Sequence, residues 1–386
     1  LDEYDFAKWP ILKKDLDPYL NEATKFLEIN NSFREEEMND YLKLIEFQLS
    51  EVRYGDKYYE NIEKSKYIKL FLNSPMVDFE GDNFEISKVN IFSETIKKKI
   101  TLKGKIFVLA AGGIENSRIL LLEQNKNKKL FNQEMPIGNY WYEHPFNILG
   151  KAFVDKKKLK QKLNTSLNHF VNMFNAGNAS DAYSVAPTKE LIKRKEILNS
   201  CTWIVTHDRT NDDWKNIVRN LMCIAPKLSN EFLKLIKKKN SCGATIYSSW
   251  EQDPEFSNRV SLSDKKDKFN NPLPKLIYKK SELVRKTAKV LVEEIGSYLI
   301  ENDLGRVSGN SFLFEEGSKY ISEAGYHHMG GTIMGENSKT SVTDKNLKVH
   351  GSKNLFIVGS SVFPSGGHAN PTLSILQLSL RLNNYL

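Results

Sequence analysis

The stretch from Gly325 to Gly335, GYHHMGGTIMG, sets two imidazoles, His327 and His328, beside a cluster of glycines near the end of a 386-residue chain. Imidazole titrates near neutrality, so a histidine held over a reacting group can take or return a proton, and glycine lets backbone approach a flat partner closely. The same letters also describe a tight glycine turn in which both histidines simply pack. A second candidate is VLAAGGIENSRILLLE, Val108 to Glu123, where a short apolar strand runs through Gly112 and Gly113 into a helix. Such a helix start presents N–H groups and a positive dipole end to a phosphate or to the edge of a cofactor. A plain strand-to-helix crossover explains the pattern equally well.

Several elements must position these residues. From Trp9 to Leu49 the pattern is helical, with Leu16, Leu20, Ala23 and Leu27 on one face, Asp15 or Asp17 at its start, and a helical pair as the expectation. Between Tyr67 and Leu109 the period changes to two, which predicts a small sheet. From Lys151 to Arg306 short amphipathic segments such as SCTWIVTH, SCGATIYSSWEQ, NRVSLS and PKLIYKK predict an antiparallel sheet. Lysine-rich helices interrupt it around Val218 to Lys239 and Ser281 to Ile300. The stretch from Tyr326 to Leu386 adds tight turns, a buried strand NLFIVG and a terminal helix. The fold class is therefore mixed α/β, with residues 1–150 and 307–386 forming one domain and 151–306 a second, substrate-facing one.

Composition narrows the chemistry. A net charge of +8 comes from many short lysine runs, not from one basic stripe interleaved with aromatics, so nucleic acid is not the expected partner. No apolar run is long enough to span a bilayer, and no secretory leader pattern opens the sequence. Cys201, Cys223 and Cys242 are an odd set without CxxC spacing, which argues against a disulfide framework and a zinc site and predicts a reducing, cytoplasmic setting. Adjacent histidines without a carboxylate cluster make a metal site unexpected.

Three segments taken together carry more than any one: VLAAGGIENSRILLLE, YHHMGGTIMG and VTDKNLKVHGSKNLFIVGSSVFPSGGHANPTLSILQLSLRL. The set resembles the glucose-methanol-choline (GMC) family of FAD-dependent oxidoreductases, in particular its bacterial, pyranose-oxidase-like branch. DFAKWPILKKDLDPYLNEA, IGNYWYEHPF and SNRVSLSDKKDKFNNPLPKLIY are similar to that branch in the same order, so the resemblance covers nearly the whole chain.

The resemblance implies FAD as cofactor, a Rossmann-like cofactor domain and oxidation of an alcohol, including a sugar, by hydride transfer to flavin. It aligns the family's base with His327 and the second ring-facing residue with Asn370. A one-residue slip at the doubled glycine would promote His328, while Asp344 and Gly351 align without gaps when His327 is chosen. It also implies cofactor contacts from Ala111 and Gly112, from Gly359, Ser360 and Ser361 after the strand, and from Asn370, Pro371 and Thr372 at the start of the last helix. His144 in YEHPF is expected to pack in a turn, His368 either to line the site beside Asn370 or to lie on an exposed loop, and His169, His207 and His350 to be surface or packing residues.

Members of this family begin with a strand and a G-x-G-x-x-G turn that grips the ADP half of FAD, and this sequence contains no G-x-G. Two expectations follow. Either a further segment or a separate chain completes an enzyme, or the chain is a reduced, non-catalytic member serving as a binding or scaffold module. In either case an exposed apolar sheet edge is expected.

Overall fold

The structure, a computed structural model, describes residues 8–163, 179–207, 243–315, 323–324 and 326–386. The helix expected around Val218 to Lys239, and His169, Cys223 and Cys242, lie outside the described residues.

Two hydrophobic cores organise the chain. The first lies under an antiparallel sheet of eight strands. Its order is β1 (Glu35–Glu37), β2 (Leu42–Ile45), β8 (Ala179–Pro187), β9 (Ser200–His207), β10 (Ala244–Trp250), β7 (Pro145–Val154) and β13 (Gly305–Gly309), with β14 (Glu323–Ala324) also paired to β7. Amphipathic alternation explains the two faces of β9. Ile204 points into the core that holds Leu149, Ile246 and Trp250, while Cys201, Trp203 and Val205 form a smaller cluster on the other side with Phe47 and Phe146.

The long helix counted here as α6 (Glu282–Glu301) closes the first core. Ser281 caps it by accepting the Val284 N–H at 3.4 Å, and Val284, Ala288, Leu291, Ile295 and Leu299 recur at helical spacing on its buried face. The helices α4 (Lys156–Lys162) and α5 (Lys189–Lys195) are short and carry Leu159 and Leu191 into the same core.

The second core gathers the meander β3 (Met76–Asp82), β4 (Glu85–Ser93) and β5 (Lys98–Lys103) with a parallel pair. That pair joins β6 (Phe107–Leu109) to β15 (Leu355–Ile357), with Phe107 opposite Leu355 and Leu109 opposite Ile357. Leaving β6 the chain enters α3 (Gly112–Lys126), and the terminal helix α7 (Thr372–Tyr385) packs Leu378 and Leu382 into the same cluster. The hairpin of β11 (Arg259–Lys266) and β12 (Pro272–Ile277) lies against α3, where Arg118 donates to the Pro272 carbonyl at 2.8 Å and pairs with Asp267 at 2.6 Å.

One expectation is overturned. Residues 9–49 do not form a helical pair: two 3-10 turns, Lys13–Asp15 and Asp17–Tyr19, lead into α1 (Leu20–Leu27), after which the chain makes the β1–β2 hairpin. Neither aspartate caps α1, since the Asp15 carboxylate reaches back to the Leu12 N–H at 2.7 Å and the N-cap position is Tyr19. The cause is local. Asn39 accepts the N–H groups of Tyr41 and Leu42 at 3.0 and 2.8 Å, which turns the chain, and Leu42 and Leu44 then alternate inward against β8. Tyr67 to Leu72 also leaves the expected strand pattern: β3 begins only at Met76, and Tyr67 is 97% exposed. After β2 comes α2 (Tyr54–Glu63), a surface helix with no buried residue.

Candidate functional site

Backbone pairing brings the histidines together. Tyr142 and Met329 exchange two hydrogen bonds, Met329 N–H to the Tyr142 carbonyl at 2.8 Å and the reverse at 3.0 Å, forming an antiparallel bridge. Two positions further along that register His144 faces His327, and their rings stack at 4.5 Å with 20° between planes. The His327 ring is half-buried, and its Nδ1 is enclosed without a hydrogen-bond partner. His328 leans instead on Trp141 at 5.5 Å, and its carbonyl accepts the Ser360 hydroxyl at 2.6 Å.

The glycines that follow are required by space and by torsion. Gly330 and Gly331 have φ of 71° and 89°, and side chains there would collide with the Tyr140 carbonyl and the Ser117 hydroxyl. Gly113 in α3 approaches the same strand so closely that a Cβ would lie 2.6 Å from the His328 carbonyl.

His144 is not the turn-packing residue the sequence suggests. It is 4% exposed, its Nδ1 lies 2.7 Å from the Ser249 hydroxyl, and its Nε2 is enclosed without a partner. Burial, with His327 and His368 nearby, lowers its pKa to about 3. The Ser249 hydroxyl also donates to the His368 carbonyl at 3.2 Å, tying the loop before α7 to β10. Of the two places open to His368, the structure favours lining the site over an exposed loop: it is half-buried, its Nδ1 is sealed, and burial together with Lys43 lowers its pKa to about 4. Burial also lowers the pKa of His327, with His328 adding repulsion, and lowers that of His328 itself. His207 and His350 are packing residues, on Thr245 at 2.9 Å and Ser341 at 3.0 Å.

Asn370 is exposed, with Pro371 as the N-cap of α7 and Thr372 as its first residue. It lines a cavity of about 500 Å³ together with His368, Ala369, Thr372, Arg34, Lys43 and Glu46. A chain of contacts leads from His327 through His144 and Ser249 to His368, two residues before Asn370.

The remaining expected residues converge at the carboxyl ends of β6 and β15, where open α/β sheets bind ligands. Asn116, fully buried, accepts the Ala111 N–H at 2.9 Å and donates to the Val358 carbonyl at 3.3 Å and the Ser361 hydroxyl at 2.9 Å. Thr332 donates to the same Ser361 hydroxyl at 2.7 Å. The hydroxyls of Ser360 and Ser361 thus turn inward, leaving backbone to form the rim. Gly112 and Gly359 take φ of 86° and 117°, and a Cβ at Gly112 would meet nothing within 4 Å, so the rim is open there. Two strand ends finished by left-handed glycines, beside a helix start and sealed imidazole nitrogens, fit a dinucleotide with a planar ring. No cluster of residues able to hold a metal occurs among the described residues, and no helix among them is long and apolar enough to cross a membrane.

The functional candidates that sequence reasoning missed are His144, Ser249 and Asn116. His144 had a signal, its place in YEHPF; a serine in an alternating strand and an asparagine in a helix had none.

The chain matches the family model described as GMC oxidoreductase over residues 254–379. It is 27% identical to the fructose dehydrogenase large subunit of Gluconobacter japonicus over 316 residues, covering 81% of this chain and 53% of that protein. A shorter match of 62 residues, 40% identical, links it to the 2-methyl-1,2-propanediol dehydrogenase of Mycolicibacterium austroafricanum, covering 16% of this chain and 11% of that one. Among solved structures, pyridoxine 4-oxidase from Mesorbium loti superposes with a TM-score of 0.54 at 11% identity, over 89% of this chain and 64% of that one. An FAD-dependent oxidoreductase from Chaetomium thermophilum gives 0.51 at 11% identity, over 86% and 63%. The chain thus spans about half the length of its longer-matching curated relative and under two thirds of each solved neighbour. With the glycine-bounded strand ends and the histidine segment in place, residues 254–379 match the GMC oxidoreductase family, and the fold is one shared with FAD-dependent oxidoreductases.

Proposed function

We propose that the chain carries the substrate side and part of the cofactor side of an FAD-dependent oxidoreductase that oxidises an alcohol, with His327 as the base. The observation that carries this is the half-buried His327 ring, stacked on a second imidazole, with Nδ1 sealed and unpartnered beside the loop that leads into α7. Burial and the adjacent His328 disfavour its charged form at neutral pH, and with Nδ1 sealed it is Nε2 that would accept the hydroxyl proton. His328, turned onto Trp141, is the neighbour that shapes this environment and not the base.

Asn370 donates a hydrogen bond to the substrate oxygen without adding charge. The backbone of Ala111, Gly112, Gly359, Ser360 and Ser361 would hold the phosphate and ribityl portion, and Asn370, Pro371 and Thr372 the pyrimidine end. There the positive end of the α7 dipole favours negative charge. When bound, FAD accepts the hydride.

The substrate-facing part would be drawn mostly from residues 151–306, with β1, β2 and β14 added to its sheet, and the cofactor-facing part from the rest of 1–150 and 307–386, with the β11–β12 hairpin laid on α3. A sugar is the favoured alcohol, on the likeness to a fructose dehydrogenase large subunit. A further segment or partner chain completes the grip on the adenosine half. Replacing His327 by alanine is expected to slow reduction of bound flavin by alcohol roughly 10²- to 10⁴-fold with the fold retained, measured by stopped-flow absorbance. Unimpaired reduction would remove His327 from the role, and the same substitution at His328 tests the register.

A further inference from the structure

Of the seven histidines in the sequence, His144 combines deep burial with a hydrogen bond that fixes its protonation. A serine hydroxyl has one proton to give. At Ser249 that proton goes to the His368 carbonyl at 3.2 Å, since a carbonyl can only accept. The 2.7 Å contact to His144 Nδ1 is then satisfied only if Nδ1 carries the hydrogen and donates to Ser249. In the opposite assignment two acceptor oxygens, Ser249 Oγ and the His368 carbonyl, would face each other with no hydrogen between them. The Nδ1–H form leaves a lone pair on Nε2, the nitrogen that is enclosed without a partner. A ring oriented in this way cannot flip without breaking the bond to Ser249, and its flat face lies against His327.

We propose that Ser249 and His144 are a positioning pair: Ser249 fixes the tautomer and orientation of His144, and the His144 ring, stacked on His327, sets the orientation of His327. Three separate segments meet in this arrangement: β10 supplies Ser249, the residue just before β7 is His144, and the segment leading to Gly330 supplies His327. Neither Ser249 nor His144 contributes the proton-accepting group. Their effect on catalysis rests on the reading of His327 as the base, whereas the arrangement itself does not.

The groups that could disturb the pair electrostatically are few. His327 and His368 face His144, His328 lies beside His327, and Lys43 of β2 lies behind His368. All three neighbouring imidazoles share its preference for the neutral form. A chain of uncharged rings is therefore maintained at neutral pH, and the hydrogen-bond direction set at Ser249 is not reversed by a nearby charge.

The test uses the full chain labelled with ¹⁵N-histidine, with long-range proton–nitrogen spectra reporting the tautomer and charge of each ring. Signals are assigned by comparison with His144→Phe and His327→Phe. The wild-type chain is expected to show His144 as the Nδ1–H tautomer and uncharged at pH 7. Ser249→Ala should populate the Nε2–H form and shift the His327 ring signals, although Ser249 makes no hydrogen bond to His327; Ser249→Thr should restore the first state. His144→Ala, which removes the stacked ring, should raise the proton affinity of His327 about tenfold, whereas His144→Phe, which keeps a ring there, should not.

An Nε2–H tautomer at His144 in the wild type overturns the proposal, and that reading is available even if a variant fails to fold. So do unchanged His327 signals in folded Ser249→Ala and an unchanged His327 titration in folded His144→Ala. If the spectra are as expected but His327→Ala reduces flavin normally, the positioning pair stands and the assignment of the base falls.

Discussion

Burial pulls the pKa of His144 down to about 3 and that of His368 down to about 4, both by penalising the charged imidazole. The folded state therefore binds fewer protons than the unfolded chain below pH ~6.5, where free imidazole titrates. Stability contributed by these residues is full above that pH and declines as pH falls, at roughly 1.4 kcal/mol per pH unit for each, until the folded pKa values are reached. Urea midpoints measured between pH 7 and pH 4 should fall accordingly. The His144→Phe variant, with no imidazole to charge, should show a shallower pH dependence; an identical slope in both proteins would mean that His144 is accessible to protons in the folded state. His327 and His328 shift in the same direction and reinforce the trend.

The element that matters most is the turn after the histidines, because its torsions decide where His327 and His328 point. Gly331→Ala places a side chain at φ 89° against Ser117 and is expected to cost about 1–3 kcal/mol, read as a lowered urea midpoint. Asn116→Ala removes the group that joins Ala111, Val358 and Ser361, and should destabilise by about 1–3 kcal/mol for each buried partner left unpaired. The same variant should loosen the rim at Gly112 and Gly359, seen as faster amide exchange at Ala111 and Ser361. An unchanged midpoint for Asn116→Ala would show that water replaces the amide.

The legibility of these elements in the sequence followed their physics. β9, β10, α3, α6 and α7 were readable because each keeps one period over its length. The β1–β2 hairpin was read as helix because its strands are three and four residues long and rich in glutamate and leucine, and an asparagine turn overrides that preference. The glycines marked His327 as a candidate. What singled out His144 was the Tyr142–Met329 bridge between segments nearly two hundred residues apart, a pairing that no local pattern encodes.

At the scale of the molecule, one core is covered by the wide antiparallel sheet and α6, and the other by the β3–β5 meander, α3 and α7. The second is unevenly covered. Val108 on β6 and Ile106 just before it are each 45% exposed, and Leu70 and Leu72 add 59% and 66% exposure in the segment before β3. Replacing Val108 by lysine is expected to reduce self-association of the isolated chain in light scattering without lowering its unfolding midpoint. A drop in midpoint would mean that Val108 is more tightly packed than its exposure indicates.

The parallel pairing of Phe107 with Leu355 carries a consequence for synthesis on the ribosome. β6 is made nearly 250 residues before its partner strand, and the histidine turn docks on Ser360 and Ser361 later still. For most of translation the cofactor-facing half has a strand without a neighbour, while the antiparallel sheet can pair through much shorter loops. A nascent chain arrested before residue 355 should therefore bind holdase chaperones through the segment from β3 to α3 and release them only once β15 and α7 have been made.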